Sequence, residues 1–221
     1  IAEGCIISNC SLVGGETAEH PNSFPENSFD LAGFAVGIVD EKKVIGSSGA
    51  NNEDKLIGIS SSGLHSNGFS LIRKIIKERN INLTESLDNE ELGEALLKPT
   101  KIYVKDILGL QKKINISAIA HITGGGFYEN IPRILNTSSK AVIDFNSEDW
   151  PSRNLYSWIG SKGVSQEDML HTFNCGIGMV ISVHPDEVDI ALEALNKEDQ
   201  FAKVIGKVGK KKEEELTIQF I

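Results

Sequence analysis

Residues 55–80, KLIGISSSGLHSNGFSLIRKIIKERN, decide the fold class of this chain. The apolar run Lys55–Ile59 is typical of a buried strand, and Gly68–Arg79 has apolar residues at helical spacing. Between them, residues 61–67 form a loop of small and hydroxyl-bearing residues, named here the serine loop. A strand that runs through such a loop into a helix is a unit of a sheet covered by helices.

Strand-like and helix-like segments continue to alternate after this unit. We expect strands at Ser117–Ala120, Lys140–Phe145, Gly178–Val183, Ala202–Val208 and Leu216–Phe220, and helices within 90–112, up to about Leu135, and at Tyr156–Leu170 and Asp186–Asn196. The alternation predicts an α+β or α/β fold with a mixed sheet covered by helices.

The part of the chain before residue 55 is organised differently. Ser11–Val13 and Phe29–Val39 have the composition of strands, but the stretch Gly46–Asp54 is small, polar and rich in turn residues. We take that stretch as a linker and predict one main domain that follows a smaller piece.

Composition excludes several classes of protein. The 221 residues carry 31 acidic and 22 basic side chains, a net charge of −9, which argues against a sequence-independent nucleic-acid binder. No apolar run approaches the roughly 18 residues of a membrane helix. Three cysteines without CxxC spacing favour reduced thiols in a cytoplasmic protein. Because the chain begins at Ile1 without an initiator Met, we expect it to be a fragment or a processed chain.

A first candidate site follows the short strand-like stretch at residues 11–13. Gly14 and Gly15 let the backbone approach a ligand, and Glu16 and Thr17 add a carboxylate and a hydroxyl group. A carboxylate beside a glycine turn can bind the magnesium ion of a nucleotide. The alternative is an ordinary tight turn with Glu16 in solvent.

The serine loop is the second candidate site. Ser62, Gly63 and Ser66 precede a helix N-terminus, where free N–H groups and the helix dipole favour phosphate binding. His65 and Asn67 could face a ligand there. The alternatives are a packed turn residue for His65 and a helix N-cap for Asn67.

The third candidate site is residues 122–126, named here the glycine loop. Thr123 is followed by Gly124, Gly125 and Gly126. Because glycine is entropically costly, close approach of a phosphate or of a substrate backbone explains the run better than stability does. A flexible turn is the alternative. His121, just before the loop, could act as a general acid or base, or could be structural.

Six stretches, in this order, resemble the phosphoribosylformylglycinamidine cyclo-ligases, also called aminoimidazole ribonucleotide synthetases. The resemblance covers nearly the whole chain. The stretches are LVGGETAE (12–19), DLAGFAVG (30–37), SSGLHSNGFSL (61–71), PTKIYVK (99–105), AHITGGGFYENIPR (120–133) and TFNCGIGM (172–179). Related kinases and synthetases, such as selenophosphate synthetase and thiamine-monophosphate kinase, share the superfamily, and a non-catalytic fragment is a further alternative.

The resemblance implies an ATP-dependent ring closure in purine biosynthesis, in which formylglycinamidine ribonucleotide becomes aminoimidazole ribonucleotide with release of ADP and phosphate. It also implies Mg²⁺, K⁺ as an aid, and a cytoplasmic homodimer for the full-length protein. On this resemblance Glu16 binds the magnesium–nucleotide. His65, Asn67 and His121 are catalytic, and the glycines at 124–126 receive a phosphate.

The chain departs from the family at its start. The family carries a longer N-terminal region that binds magnesium–ATP and forms the dimer interface. The resemblance therefore implies that 1–48 is a remnant of that domain, that 49–221 is the family's C-terminal domain, and that the isolated chain is inactive. Two smaller departures are Glu19-His20-Pro21-Asn22, where Glu-Met-Pro-Gly is common, and Cys175 in place of a common Met.

Overall fold

The computed structural model describes residues 1–46, 48–146, 150–196 and 200–221. These residues divide into two compact units, Ile1–Val44 and Ile45–Ile221. Among the described residues, no helix combines the length and apolar character needed to cross a membrane.

The first unit has little regular structure. It contains the helix α1, Ala2–Ser8, and a single 3-10 turn at Glu41–Lys43. The strands predicted at Ser11–Val13 and Phe29–Val39 are wrong, since neither stretch is in a strand. A strand needs a neighbour for its N–H and C=O groups, and no described residue pairs with either segment through backbone hydrogen bonds. The side chains of both stretches are exposed.

The second unit is built on a six-stranded sheet. Its strands and a separate short hairpin are β1 Lys55–Ser60, β2 Ser86–Leu87, β3 Glu90–Glu91, β4 Ile116–His121, β5 Ser139–Ile143, β6 Ile177–Val183, β7 Ala202–Lys210 and β8 Ile218–Phe220. The sheet order is β4-β6-β1-β7-β5-β8, with β2 and β3 forming the hairpin. Neighbouring strands are antiparallel except for the parallel pair β5–β8, so the predicted mixed sheet is confirmed.

Seven α-helices accompany this sheet in the described part of the second unit. They are α2 Phe69–Arg79, α3 Leu92–Leu97, α4 Val104–Leu110, α5 Gly126–Asn130, α6 Arg153–Ser161, α7 Gln166–Thr172 and α8 Val188–Leu195. The helical pattern predicted over 90–112 is two helices, separated around Pro99, because proline disfavours helical backbone at the residue before it. The pattern predicted over 156–170 is likewise two helices, α6 and α7.

Both faces of the sheet are buried. Leu56 of β1 packs in one apolar cluster, whereas Ile57 and Ile59 pack in another. Successive side chains of a strand point to opposite faces, so a central strand with two covered faces is apolar throughout. This arrangement fixes the end of β1, from which the serine loop begins.

Candidate functional site

The serine loop is tied to the segment that precedes α4. His65 is buried and has a left-handed backbone with φ of 59°. Its Nε2 accepts hydrogen bonds from the backbone N–H of Ser62 at 3.2 Å and of Lys101 at 3.4 Å. The Ser66 and Thr100 hydroxyl groups lie 3.0 Å apart. The loop is therefore held in one conformation by contacts with residues 100–101.

These contacts determine the protonation state of His65. Because Nε2 accepts two hydrogen bonds, the proton of the neutral ring lies on Nδ1, and Nδ1 is buried without a partner among the described residues. Burial lowers the pKa of His65 to about 4, with smaller contributions from His121 and Lys101. A ring that stays neutral at pH 7 is better suited to positioning than to carrying a proton.

A pH titration tests this state of His65. Its pKa is about 6.5 in the unfolded chain and about 4 in the folded protein, so its contribution to stability is complete above pH 6.5 and is lost as the pH falls towards 4. We expect this group alone to lower the unfolding free energy by about 2 kcal/mol over that range, after solvent screening reduces the full effect. The ¹⁵N shifts of its imidazole should stay constant from pH 8 to about pH 5; a midpoint above pH 6 would contradict the assignment.

His121 and Tyr103 complete a triangle of rings with His65. The ring centroid of Tyr103 lies 6.2 Å from each histidine ring, and the two histidine rings are 6.4 Å apart. The Tyr103 hydroxyl donates to the Ser60 carbonyl at 2.9 Å, and Lys101 Nζ lies 5.6 Å from the Tyr103 ring centroid. Three separate segments of the chain thus place two imidazoles and one ammonium group together.

The two histidines differ in exposure. His121 ends β4 and is exposed, with its pKa lowered by partial desolvation. A lowered pKa keeps the ring largely neutral near pH 7, where it can accept a proton. An accessible, neutral imidazole beside the glycine loop has the properties of a general base.

Asn67 connects the serine loop to the glycine loop. Its Oδ1 lies 3.4 Å from the position that a Cβ atom on Gly124 would occupy. The structure therefore brings together four of the predicted site residues, which are His65, Asn67, His121 and Gly124.

The glycine loop is held by a side chain that sequence reasoning missed. Asn130 is buried, and its Nδ2 donates to the carbonyls of Gly124 at 3.1 Å and Gly126 at 2.7 Å. The Thr123 hydroxyl donates to Asn130 Oδ1 at 3.3 Å. These bonds explain why a glycine-rich segment adopts a single conformation.

Two of the three glycines have a structural reason of their own. Gly125 and Gly126 have φ of 84° and 56°. A Cβ atom on Gly126 would lie 2.0 Å from the Leu170 carbonyl oxygen, and one on Gly125 would lie 2.3 Å from a carboxylate oxygen of Glu129. An acidic group against Gly125 disfavours a phosphate at that point, whereas Gly124 faces Asn67 and has no such neighbour.

Ser62 and Gly63 line a cavity of about 230 Å³ together with Lys98 and Asp88. The residues that line this cavity do not include His65, His121 or Gly124. Lys98 pairs with Glu90, and Asn154 donates to Asp88 at 2.6 Å. The Ser62 hydroxyl donates to the Pro99 carbonyl at 2.6 Å. The polar groups of this cavity therefore bond largely to one another.

The remaining predicted site residues, Gly14, Gly15, Glu16 and Thr17, lie in the first unit and are exposed. Among the described residues, no three His, Cys, Asp or Glu side chains come together as a metal site.

Several known proteins resemble this chain in sequence or in fold. Residues 51–219 match the family model "AIR synthase related protein, C-terminal domain". Phosphoribosylformylglycinamidine cyclo-ligases of two Clostridium perfringens strains are 49% identical over 206 residues, which is 93% of this chain and 60% of theirs. The chain thus spans less than two thirds of the length of these relatives. A crystal structure of the hydrogenase maturation protein HypE has a TM-score of 0.51 and 15% identity, covering 77% of this chain and 50% of its own, a likeness of fold alone.

Proposed function

This chain belongs to the family of AIR synthase related proteins, through their C-terminal domain, and on that premise we propose that the complete protein is an ATP-dependent phosphoribosylformylglycinamidine cyclo-ligase. The observation that carries the proposal is the 49% identity to the cyclo-ligases over 93% of the chain. The close approach of Asn67 to Gly124, near His65 and His121, also supports the proposal.

The proposed reaction has two steps. The γ-phosphoryl group of ATP is transferred to the formyl oxygen of formylglycinamidine ribonucleotide, which leaves ADP. The amidine-side nitrogen then attacks the activated carbon, the C–O bond breaks, inorganic phosphate departs, and the nitrogen loses a proton as the imidazole ring forms. An amide-type oxygen is a poor leaving group until it carries the phosphoryl group, and preorganised donors stabilise that transfer.

Each residue of the site receives a role in this proposal. His121 takes the proton lost during ring closure, because it is exposed and neutral near pH 7. Asn67 hydrogen-bonds the substrate, and Gly124 lets its phosphorylated part approach the backbone. His65, buried and neutral, positions the serine loop.

Two further binding roles belong to the proposal, one within each unit. We assign Mg²⁺–ATP to Gly14, Gly15, Glu16 and Thr17 in the first unit, and phosphate contacts to Ser62, Gly63, Ser66 and Thr123 in the second. In this proposal Glu16 would hold Mg²⁺, which would offset the charge of the phosphates. The proposal retains K⁺ as an aid, and a cytoplasmic homodimer as the state of the complete protein, which sedimentation would test.

A product analysis tests the function. The complete protein, given formylglycinamidine ribonucleotide and Mg²⁺–ATP, is expected to form ADP and aminoimidazole ribonucleotide in equal amounts, and neither without ATP. A stable phosphorylated but open-chain product would indicate a kinase of the same superfamily. Failure to consume either substrate would overturn the proposed enzyme function.

A further inference from the structure

The turn between α7 and β6 holds the start of the serine loop through one buried amide. Asn174 is 1% exposed. Its Oδ1 accepts hydrogen bonds from the Ser61 hydroxyl at 3.0 Å, the Tyr156 hydroxyl at 2.7 Å and the Gly176 N–H at 2.8 Å, and its Nδ2 donates to the Gly63 carbonyl at 2.9 Å. Three donors on one side and a carbonyl on the other fix the orientation of this amide.

The residues that flank Asn174 contact the rest of the serine loop. A Cβ atom on Gly68, where the loop meets α2, would lie 2.0 Å from the Phe173 ring. A Cβ atom on Gly178 would lie 2.5 Å from His65 Cε1. The segment Phe173–Gly178 therefore touches the loop near both of its ends and at His65.

The same segment also contacts the glycine loop. The N–H of Ile122 donates to the Gly178 carbonyl at 2.9 Å. Asn67 and Gly124 thus belong to two loops that are both bonded to one short stretch of chain, and a change in its conformation would alter the distance between them.

Close contacts and a hydrogen bond hold the segment Phe173–Gly178 in an unfavourable backbone conformation. Cys175 and Gly176 have φ of 48° and 93°, and a Cβ atom on Gly176 would lie 2.3 Å from the Pro151 carbonyl oxygen. The Trp150 indole N–H donates to the Cys175 carbonyl at 2.6 Å. Backbone in this unfavourable region persists where surrounding contacts over-determine it, and such positions cluster at functional sites.

We propose that Asn174 is a positioning residue, which sets the geometry of the serine loop and so the placement of His65 and Asn67. The effect of Asn174 on kcat rests on the proposed function, whereas its effect on the conformation of the serine loop does not. The amide is needed in both its acceptor and its donor half, since one half binds Ser61 and the other binds Gly63.

The test is Asn174→Asp in the complete protein. An ionised carboxylate cannot donate to the Gly63 carbonyl and places two oxygens against each other, whereas a protonated carboxyl group restores the donor. At pH 8 the imidazole ¹⁵N signals of His65 and the side-chain amide signals of Asn67 should shift from their wild-type values. The kcat for ring closure should fall about tenfold or more.

Asn136→Asp is the matched control. Asn136 Nδ2 donates to the Ala50 carbonyl at 3.1 Å, and Ser139, three residues later, pairs with Lys210, at the far end of β7 from the residues that bond to Ser60. Loss of this donor should leave the His65 and Asn67 signals in place. Signals that stay in place in N174D, or that move equally in N136D, would overturn the proposal whatever the enzyme's substrate.

A second variant covers the case in which N174D does not fold. Tyr156→Phe removes one hydroxyl from the same network and keeps the ring in the core. Smaller shifts of the same signals are expected, and their absence in a folded Y156F protein would equally count against a positioning role for Asn174.

Discussion

Replacing Gly178 with alanine should lower the free energy of unfolding by about 2–3 kcal/mol. The new Cβ atom would lie 2.1 Å from the Tyr103 hydroxyl oxygen and 2.5 Å from His65 Cε1. Neither neighbour can easily withdraw, since both side chains are buried and hydrogen-bonded to backbone groups. Urea unfolding followed by circular dichroism measures the loss.

Gly109→Ala is the control for this substitution. Gly109 lies within α4, and a Cβ atom there would meet no atom within 4 Å. Because alanine favours the helix over glycine, we expect this variant to gain up to about 1 kcal/mol. Equal stability of G178A and the wild type would contradict the close packing of the Tyr103 and His65 side chains against Gly178.

Replacing His121 with alanine is expected to lower kcat for ring closure about 10²- to 10³-fold, within the range of general acid–base catalysis. The side chain is exposed, so its removal should leave the fold intact. His121→Gln preserves a hydrogen-bonding group but cannot take up a proton, so it should be nearly as impaired. Steady-state kinetics of the complete protein, with thermal unfolding measured in parallel, check this expectation.

His184→Ala provides the comparison for His121. His184 is exposed and contacts Asp186. It follows the C-terminal end of β6, whereas His121 pairs with Met179 near the start of that strand. Its loss should change kcat less than about twofold. If His121→Gln retains wild-type activity, hydrogen bonding rather than proton transfer is the role of His121, and the general-base assignment is wrong.

Local sequence patterns were sufficient for the central strand, the serine loop and the helix that follows it. The apolar run of β1, the hydroxyl-rich loop and the helical spacing of α2 all lie within residues 55–80, so one short window contained the whole unit. The mixed sheet was also predictable, but its order was not, because β1 pairs with β6 and β7, more than a hundred residues away.

The supporting residues of the site were missed for the same reason. Ser61 bonds to Asn174 across 113 positions, and Tyr103 reaches Ser60 across 43. No spacing rule connects residues so far apart in the sequence. Asn174 and Tyr103 nevertheless lie within stretches that resemble the cyclo-ligases. The prediction of a strand at Phe29–Val39 was wrong for another reason. The composition of that stretch suits a strand, but a strand forms only where a partner completes its hydrogen bonds.

The central claim is that ATP phosphorylates the formyl oxygen of the substrate, and oxygen-isotope tracing tests it most directly. The complete protein would be given ATP and formylglycinamidine ribonucleotide labelled with ¹⁸O at the formyl oxygen, and the products would be analysed by mass spectrometry. We predict that the inorganic phosphate carries the label, because the bond that breaks during ring closure joins carbon to that oxygen. Unlabelled phosphate, with ¹⁸O in water or in an organic product, would contradict the claim.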